Sequence, residues 1–136
     1  MAKSEKVTDS IVVNMLRASG YIDGNFHSIK KDVFVWAHRS ENKVIDDLLS
    51  KASKRKTEKP GYPEFIIFDK KYNIVIVIED KRDTRFHIYE RIDEKIADFA
   101  VNGALWYASF LKDAFDVIAV GISGSAIEEM QIDNYM

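Results

Sequence analysis

Pro63-Glu64-Phe65-Ile66-Ile67-Phe68-Asp69 is followed, after Lys70-Lys71-Tyr72-Asn73, by Ile74-Val75-Ile76-Val77-Ile78-Glu79-Asp80-Lys81. Both apolar runs are β-branched or aromatic without polar alternation, which reads as strands covered on both faces. The polar loop between them has a length that joins antiparallel neighbours, so the two strands should form a hairpin. Pairing Asp69 with Ile74 across that loop places Glu64 opposite Glu79. Side chains alternate along a strand, so Glu79 and Lys81 share one face and Asp80 takes the other. Two carboxylates and an ammonium are therefore expected at one end of a buried hairpin, where stability alone requires no charge.

The rest of the chain supplies helices around this hairpin. Thr8 or Asp9 can cap a first helix carrying Ile11, Val12, Met15, Leu16 and Ala18 at helical spacing, and Gly20 closes it. Asp23-Gly24-Asn25 is turn chemistry. Residues 29–37, with Val33 to Trp36, read as a strand, and a helix there stays open. Ser40-Glu41 opens a second helix with Val44, Ile45, Leu48, Leu49 and Ala52 as its apolar stripe. A basic run over 51–59 ends at the chain breaker Pro60-Gly61. After a polar, irregular segment 82–92, a long helix is expected from about Asp93 to Lys112. Val117 to Val120 is a further buried strand, Gly121 to Gly124 a turn, and Ala126 to Met136 an edge strand. The predicted fold is α/β, a small mixed β-sheet with hairpin 63–81 at its centre and helices on its flanks.

Composition narrows the function classes. The 136 residues suit one domain, and 46% hydrophobic content supports a real core. Charged residues reach 31% but nearly cancel to a net −2, which argues against a whole-surface nucleic-acid binder and leaves room for a local basic patch. The absence of cysteine removes disulfide scaffolds, zinc ribbons and cysteine nucleophiles, and fits a reducing compartment. The polar N-terminus has no signal-peptide pattern, and the longest apolar run, Ile74 to Ile78, is far short of the ~20 residues that span a bilayer. A soluble, cytoplasmic protein with no membrane partner is expected.

Adjacent carboxylates repel unless a proton or a cation intervenes, and Mg²⁺ takes one or two carboxylates together with waters and phosphate oxygens. A lysine beside such an ion can orient or deprotonate an attacking water. The plainer alternative is a surface hairpin end with an ordinary Glu–Lys cross-strand pair.

Pro63-Glu64, fourteen intervening residues and then Glu79-Asp80-Lys81 resembles the signature of the PD-(D/E)XK nuclease superfamily, with Glu in place of the first Asp. Together with Gly61 to Ile67, Ala100 to Ala108 and Val117 to Gly121, it looks like the N-terminal nuclease region of restriction enzymes that carry an adenine-N6 DNA methylase downstream. The resemblance covers about residues 40–125. It implies a restriction-endonuclease-like core and Mg²⁺-dependent hydrolysis of double-stranded DNA, with Mn²⁺ as a substitute. Residues 1–136 would then be a single nuclease-like domain at the N-terminal part of a longer restriction-modification protein. Methylase and specificity domains or subunits would be its partners, with room for a homodimer. By the same resemblance Glu64 and Glu79 become metal ligands, Lys81 the water-activating residue, and Asp80 a ligand through its backbone carbonyl. Asn102 stands where that methylase-linked group is expected to carry an acid. A catalytically silent module for DNA binding or assembly is the alternative function.

Other residues admit two readings each. Glu41 falls within the apolar stripe of the second helix, so it is either an additional metal ligand or a first-turn acid favoured by the helix dipole. Lys54, Arg55, Lys56 and Lys59 either grip DNA phosphates or form a solvated loop. His27, His38 and His87 lack metal-ligand spacing and read as surface or satisfied histidines. Gly121 to Ser125 lacks the Lys-Ser/Thr of a phosphate loop.

Overall fold

The computed structural model describes residues 6–52, 62–89 and 99–136. The hairpin forms as the loop length dictates. β2 (Phe65–Asp69) pairs antiparallel with β3 (Ile74–Lys81), Asp69 opposite Ile74 and Phe65 opposite Ile78. Asn73 closes the loop in the left-handed region, at φ 56°, and its amide donates to the Ala114 carbonyl at 3.0 Å.

β1 (Val33–Ala37) adds to β2 antiparallel, β4 (Asp116–Ser123) lies parallel to β3, and β5 (Gln131–Tyr135) returns antiparallel along β4. The result is a five-stranded mixed sheet in the order β1-β2-β3-β4-β5, with β3 in the middle. A parallel neighbour needs a crossover, and α3 (Ala100–Leu111) provides it between β3 and β4.

Both sheet faces are covered, which is why the central strands show no polar alternation. On one face α2 (Lys43–Leu49) and α3 pack Ile45, Leu49, Tyr107 and Leu111 against Ile66, Phe68, Val75 and Val77. On the other, α1 (Lys6–Ala18) packs Val12 and Leu16 with Phe65, Ile67, Ile78 and Ile122. Gly20 ends α1 at φ 81°, with the Tyr21 N–H donating to the Leu16 carbonyl at 3.0 Å and the Gly20 N–H to that of Arg17 at 3.1 Å. This paired closure satisfies the last helical carbonyls.

Several boundaries differ from expectation for identifiable reasons. Because α1 already begins at Lys6, Thr8 and Asp9 lie in its first turn and do not cap it. Thr8 is buried and donates Oγ1–H to the Gly124 carbonyl at 2.7 Å, tying the helix to the end of β4. The second helix starts at Lys43 because Asn42, not Ser40, accepts the Ile45 N–H at 3.1 Å. Ser40 instead turns the chain by accepting the Asn42 N–H. Gly121 to Ser123 belong to β4 and form no turn. Gly121 is required by packing: a Cβ there would lie 2.8 Å from the backbone of Val101. The turn proper falls on Gly124, at φ 121°. The long helix expected from about Asp93 to Lys112 begins only at Ala100, because Phe99 before it is extended (φ −119°, ψ 135°). Residues 90–98 and the basic residues Lys54, Arg55, Lys56 and Lys59 lie outside the described residues. Among the described residues no helix is long and apolar enough to cross a membrane.

Candidate metal centre at the end of the central strand

β3 outruns β2 by three residues. Phe65–Ile78 is the last β2–β3 pair, so Glu79, Asp80 and Lys81 keep a ladder only with Gly121, Ile122 and Ser123 of β4. Val75 and Val77 face α2 and α3 while Ile76 and Ile78 face α1. Continued alternation puts Glu79 and Lys81 on the α3 side and Asp80 on the α1 side, as the sequence predicts. Glu79 and Asp80 are nonetheless both buried, at 2% and 1% exposure. Burying two carboxylates without compensation is costly, so the end of this strand needs a chemical reason.

Glu64 connects the two faces. Its backbone N–H donates to Oε1 of Glu79 at 3.0 Å, which makes the two cross-strand neighbours. Its carboxylate passes the open edge beyond β2 and meets Asp80 and Asp9. These three residues each bring an oxygen to one point, the oxygens all lying within 4.8 Å of one another.

The acidic group thus differs in membership from the set the resemblance implies. Glu64 belongs to it. Asp80 contributes its side chain, where a backbone carbonyl was expected, because Glu64 reaches over the free edge to the Asp80 face. Glu79 lies behind Glu64 as its anchor. Glu41 is exposed ahead of α2 and outside the group. The acid supplied by a helix is Asp9, on α1. Its signal was present in the sequence, since Asp9 precedes Val12 and Leu16 by three and seven residues and so shares their apolar face.

Neither carboxylate oxygen of Asp80, nor Oδ1 of Asp9, has a hydrogen-bond donor among the described residues. Burial above all, then Asp9 beside it and the charges of Glu64 and Glu79, push the Asp80 carboxyl up to about 10. A carboxyl in this position holds a proton at neutral pH until a cation replaces it. From the α3 side Tyr107 is raised too, first by burial and then by the charges of Glu79 and Glu64, so its phenol stays protonated beside the acids. An all-oxygen set with no soft donor suits a hard divalent ion such as Mg²⁺ or Mn²⁺.

The surrounding polar residues divide into neighbours of this centre and fasteners of the fold. His38 approaches Glu64, its Nδ1 3.9 Å from Oε2. His27 pairs with Asp23 at the surface. His87 is buried, with Nδ1 2.8 Å from Oγ of Ser123 and Nε2 2.7 Å from Oδ2 of Asp133. That connectivity is of the serine-nucleophile kind, but Ser123 is fully buried and no substrate can reach its hydroxyl. Asn102 is also buried; its Oδ1 accepts the Tyr89 N–H at 2.8 Å and its Nδ2 donates to the Tyr89 carbonyl at 3.3 Å. An ionised acid could not make the second bond, which accounts for an amide at this position.

A groove of about 370 Å³ between the end of α3 and the start of β4, lined by Leu105, Phe115, Val117 and Tyr135, opens at the opposite end of the sheet from the acids. Comparison of the chain with protein-family models, with curated proteins and with solved structures finds no match.

Proposed function

We propose that this chain is a divalent-metal-dependent nuclease domain with a restriction-endonuclease-like core, hydrolysing phosphodiester bonds of double-stranded DNA in a restriction-modification protein. The observation that carries the reading is Asp80, a buried carboxylate without a donor that shares one point with Asp9 and Glu64. The Pro63-Glu64 and Glu79-x-Lys81 pattern at the same strand ends supports it from the sequence side.

Asp9, Glu64 and Asp80 would hold the cation, Mg²⁺ or its substitute Mn²⁺. When bound, such an ion offers charge to a phosphoryl oxygen and acidity to a water. Glu79 keeps Glu64 in place through the Glu64 N–H. Lys81, on the Glu79 face at the strand end, orients the attacking water from its Nζ. Because β2 has already ended, a phosphate at this edge can meet groups from both sheet faces. Lys54, Arg55, Lys56 and Lys59, immediately before Glu64 in sequence, are proposed to bind flanking phosphates.

Single-turnover cleavage of a duplex with Mg²⁺ or Mn²⁺, beside a metal titration of the same samples, tests this. Lys81→Ala should cut at least ~10²-fold more slowly, within the usual range for proton-transfer help, and bind metal as before. Asp80→Asn should lose metal and cleavage together. Unchanged cleavage in Lys81→Ala would overturn the assignment of Lys81. Metal and DNA binding without cleavage by the native chain would favour the silent module.

A further inference from the structure

The chain leaves the central strand at Lys81 through Arg82 and makes a single 3-10 turn, Thr84–Phe86. The turn is firmly held. Asp83 caps it, Oδ1 accepting the Arg85 N–H at 2.9 Å, and the Phe86 N–H donates to the Asp83 carbonyl at 3.0 Å. The Arg85 guanidinium folds back on the Asp83 carboxylate, Nη2 to Oδ2 at 2.7 Å. His87, next in the chain, is buried within hydrogen-bond distance of Ser123 and Asp133, which anchors the turn to β4 and β5. Ser123 is the ladder partner of Lys81, so the turn stands beside the strand end that carries the candidate centre.

On either side of His87 an apolar side chain points outward: Phe86 is 41% exposed and Ile88 44%. The Phe86 ring is backed edge-on by Phe99 at 5.6 Å between centroids, and Phe99 by Tyr89 at 5.4 Å. The Arg85 guanidinium lies 5.9 Å from the Phe86 ring centroid. One exposed apolar residue is ordinary. Two on the outer side of a fastened turn, with Lys81, Arg82 and Arg85 against the single acid Asp83, form an apolar tip with a cationic flank. That chemistry fits a nucleic-acid base between its phosphates, since the ring can stack while the cations meet the backbone. The cations and the neighbouring acidic centre favour nucleic acid here over a protein partner.

We propose that Phe86, with Ile88 beside it, is a wedge against one base step of the bound duplex, so that the site favours DNA with a mismatch at that step over fully paired DNA. This rests on the nuclease reading above and deepens it by naming the form of duplex that the centre takes. Opening an intact step costs free energy that a mismatched step has largely lost. A ring backed by Phe99 on a pinned turn keeps its place, and the DNA yields.

The test titrates the intact chain, in Ca²⁺, into two labelled duplexes of one sequence, fully paired and with a central mismatch. The native chain should bind the mismatched duplex about tenfold more tightly, the scale of one base–aromatic stack. Phe86→Ala should lose that preference and bind the paired duplex as before, which shows the fold intact. Phe86→Trp should keep the preference, because a larger ring still stacks. Equal affinities in the native chain, or a preference that survives in Phe86→Ala, overturn the wedge and leave the nuclease centre standing. A DNA-free native dimer that Phe86→Ala makes monomeric assigns the surface to a second copy and also overturns the wedge. Absence of binding to either duplex overturns both the wedge and the nuclease reading.

Discussion

Glu64 donates its backbone N–H to Oε1 of Glu79 at 3.0 Å and sends its own carboxylate the other way, to Asp80 and Asp9. One residue at the start of β2 thereby joins the two faces of the sheet at the point where β3 runs on alone. The hydrogen bond fixes where the Glu64 carboxylate can go, and the missing strand beside Asp80 leaves it somewhere to go.

The two buried acids of β3 should therefore respond differently to neutralisation. Glu79→Gln keeps a carbonyl oxygen that can accept the Glu64 N–H, so the chain should fold and keep most of its Mn²⁺ affinity. Asp80→Asn removes a charged ligand and should cost far more, on the order of 100-fold. Calorimetric titration of both variants decides this. Equal losses, or a larger one in Glu79→Gln, would move the ion to the α3 side of the strand.

Asp80 also makes the metal-free protein sensitive to pH. Its carboxyl is held up to about 10 in the folded chain, chiefly by burial and then by Asp9, against 3.8 for an ordinary aspartate. Above that lower value the unfolded chain has lost this proton and the folded chain retains it, so stability falls as pH rises from about 4 toward 10. Metal-free protein should thus melt at a lower temperature at pH 8 than at pH 5. Asp80→Asn should flatten that dependence and stabilise the metal-free chain at pH 8 by about 1–3 kcal/mol, because the amide can donate to Asp9 without first having to take a proton from solution. Added Mn²⁺ should stabilise the native chain and not the variant. Thermal melts at the two pH values provide the comparison, and a native melting temperature that rises with pH would refute the burial argument.

Gly121 tests the packing that positions the strand end. Its missing Cβ admits the Val101 backbone, and a methyl group there would approach that backbone to 2.8 Å. Backbone on both sides leaves little to yield, so Gly121→Ala should cost about 1–3 kcal/mol, the usual penalty for overpacking. Denaturant unfolding measures this directly. A neutral effect would mean that α3 sits further from the sheet.

The His87 bridge should govern the edge strand. Asp133→Ala removes a half-exposed partner and should cost no more than about 1 kcal/mol, yet hydrogen exchange over Gln131–Tyr135 should quicken. His87→Ala should cost more, since the buried Ser123 hydroxyl loses its partner. Unchanged exchange in both variants would show that β5 is held by its ladder with β4 alone.

The hairpin, its register and the facing of Glu79, Asp80 and Lys81 were all legible in the sequence. A four-residue loop and period-two alternation leave little freedom. The acidic group was legible only in part. Facing was taken to separate Asp80 from Glu64, but facing separates residues only where strands continue on both sides, and β2 stops at Phe65. Asp9 was hidden by its position, because an acid near a helix start reads as a cap when the helix begins one turn earlier. Glu41 was a candidate helix acid because it falls on the apolar stripe extrapolated back from Val44 and Ile45, but the helix begins only at Lys43, and the acid that reaches the group comes from α1 instead. Gly121 read as a turn because a glycine needed for close approach looks the same in sequence as one needed for a positive φ.

Anomalous diffraction from a crystal of the chain soaked in Mn²⁺ would locate the ion without reference to activity. A peak is expected about 2.0–2.3 Å from carboxylate oxygens of Asp9, Glu64 and Asp80, at usual bond lengths for such ions, and no such peak in Asp80→Asn. A soaked native crystal with no peak among these three residues, or with its ion bound elsewhere, would contradict this placement of the ion.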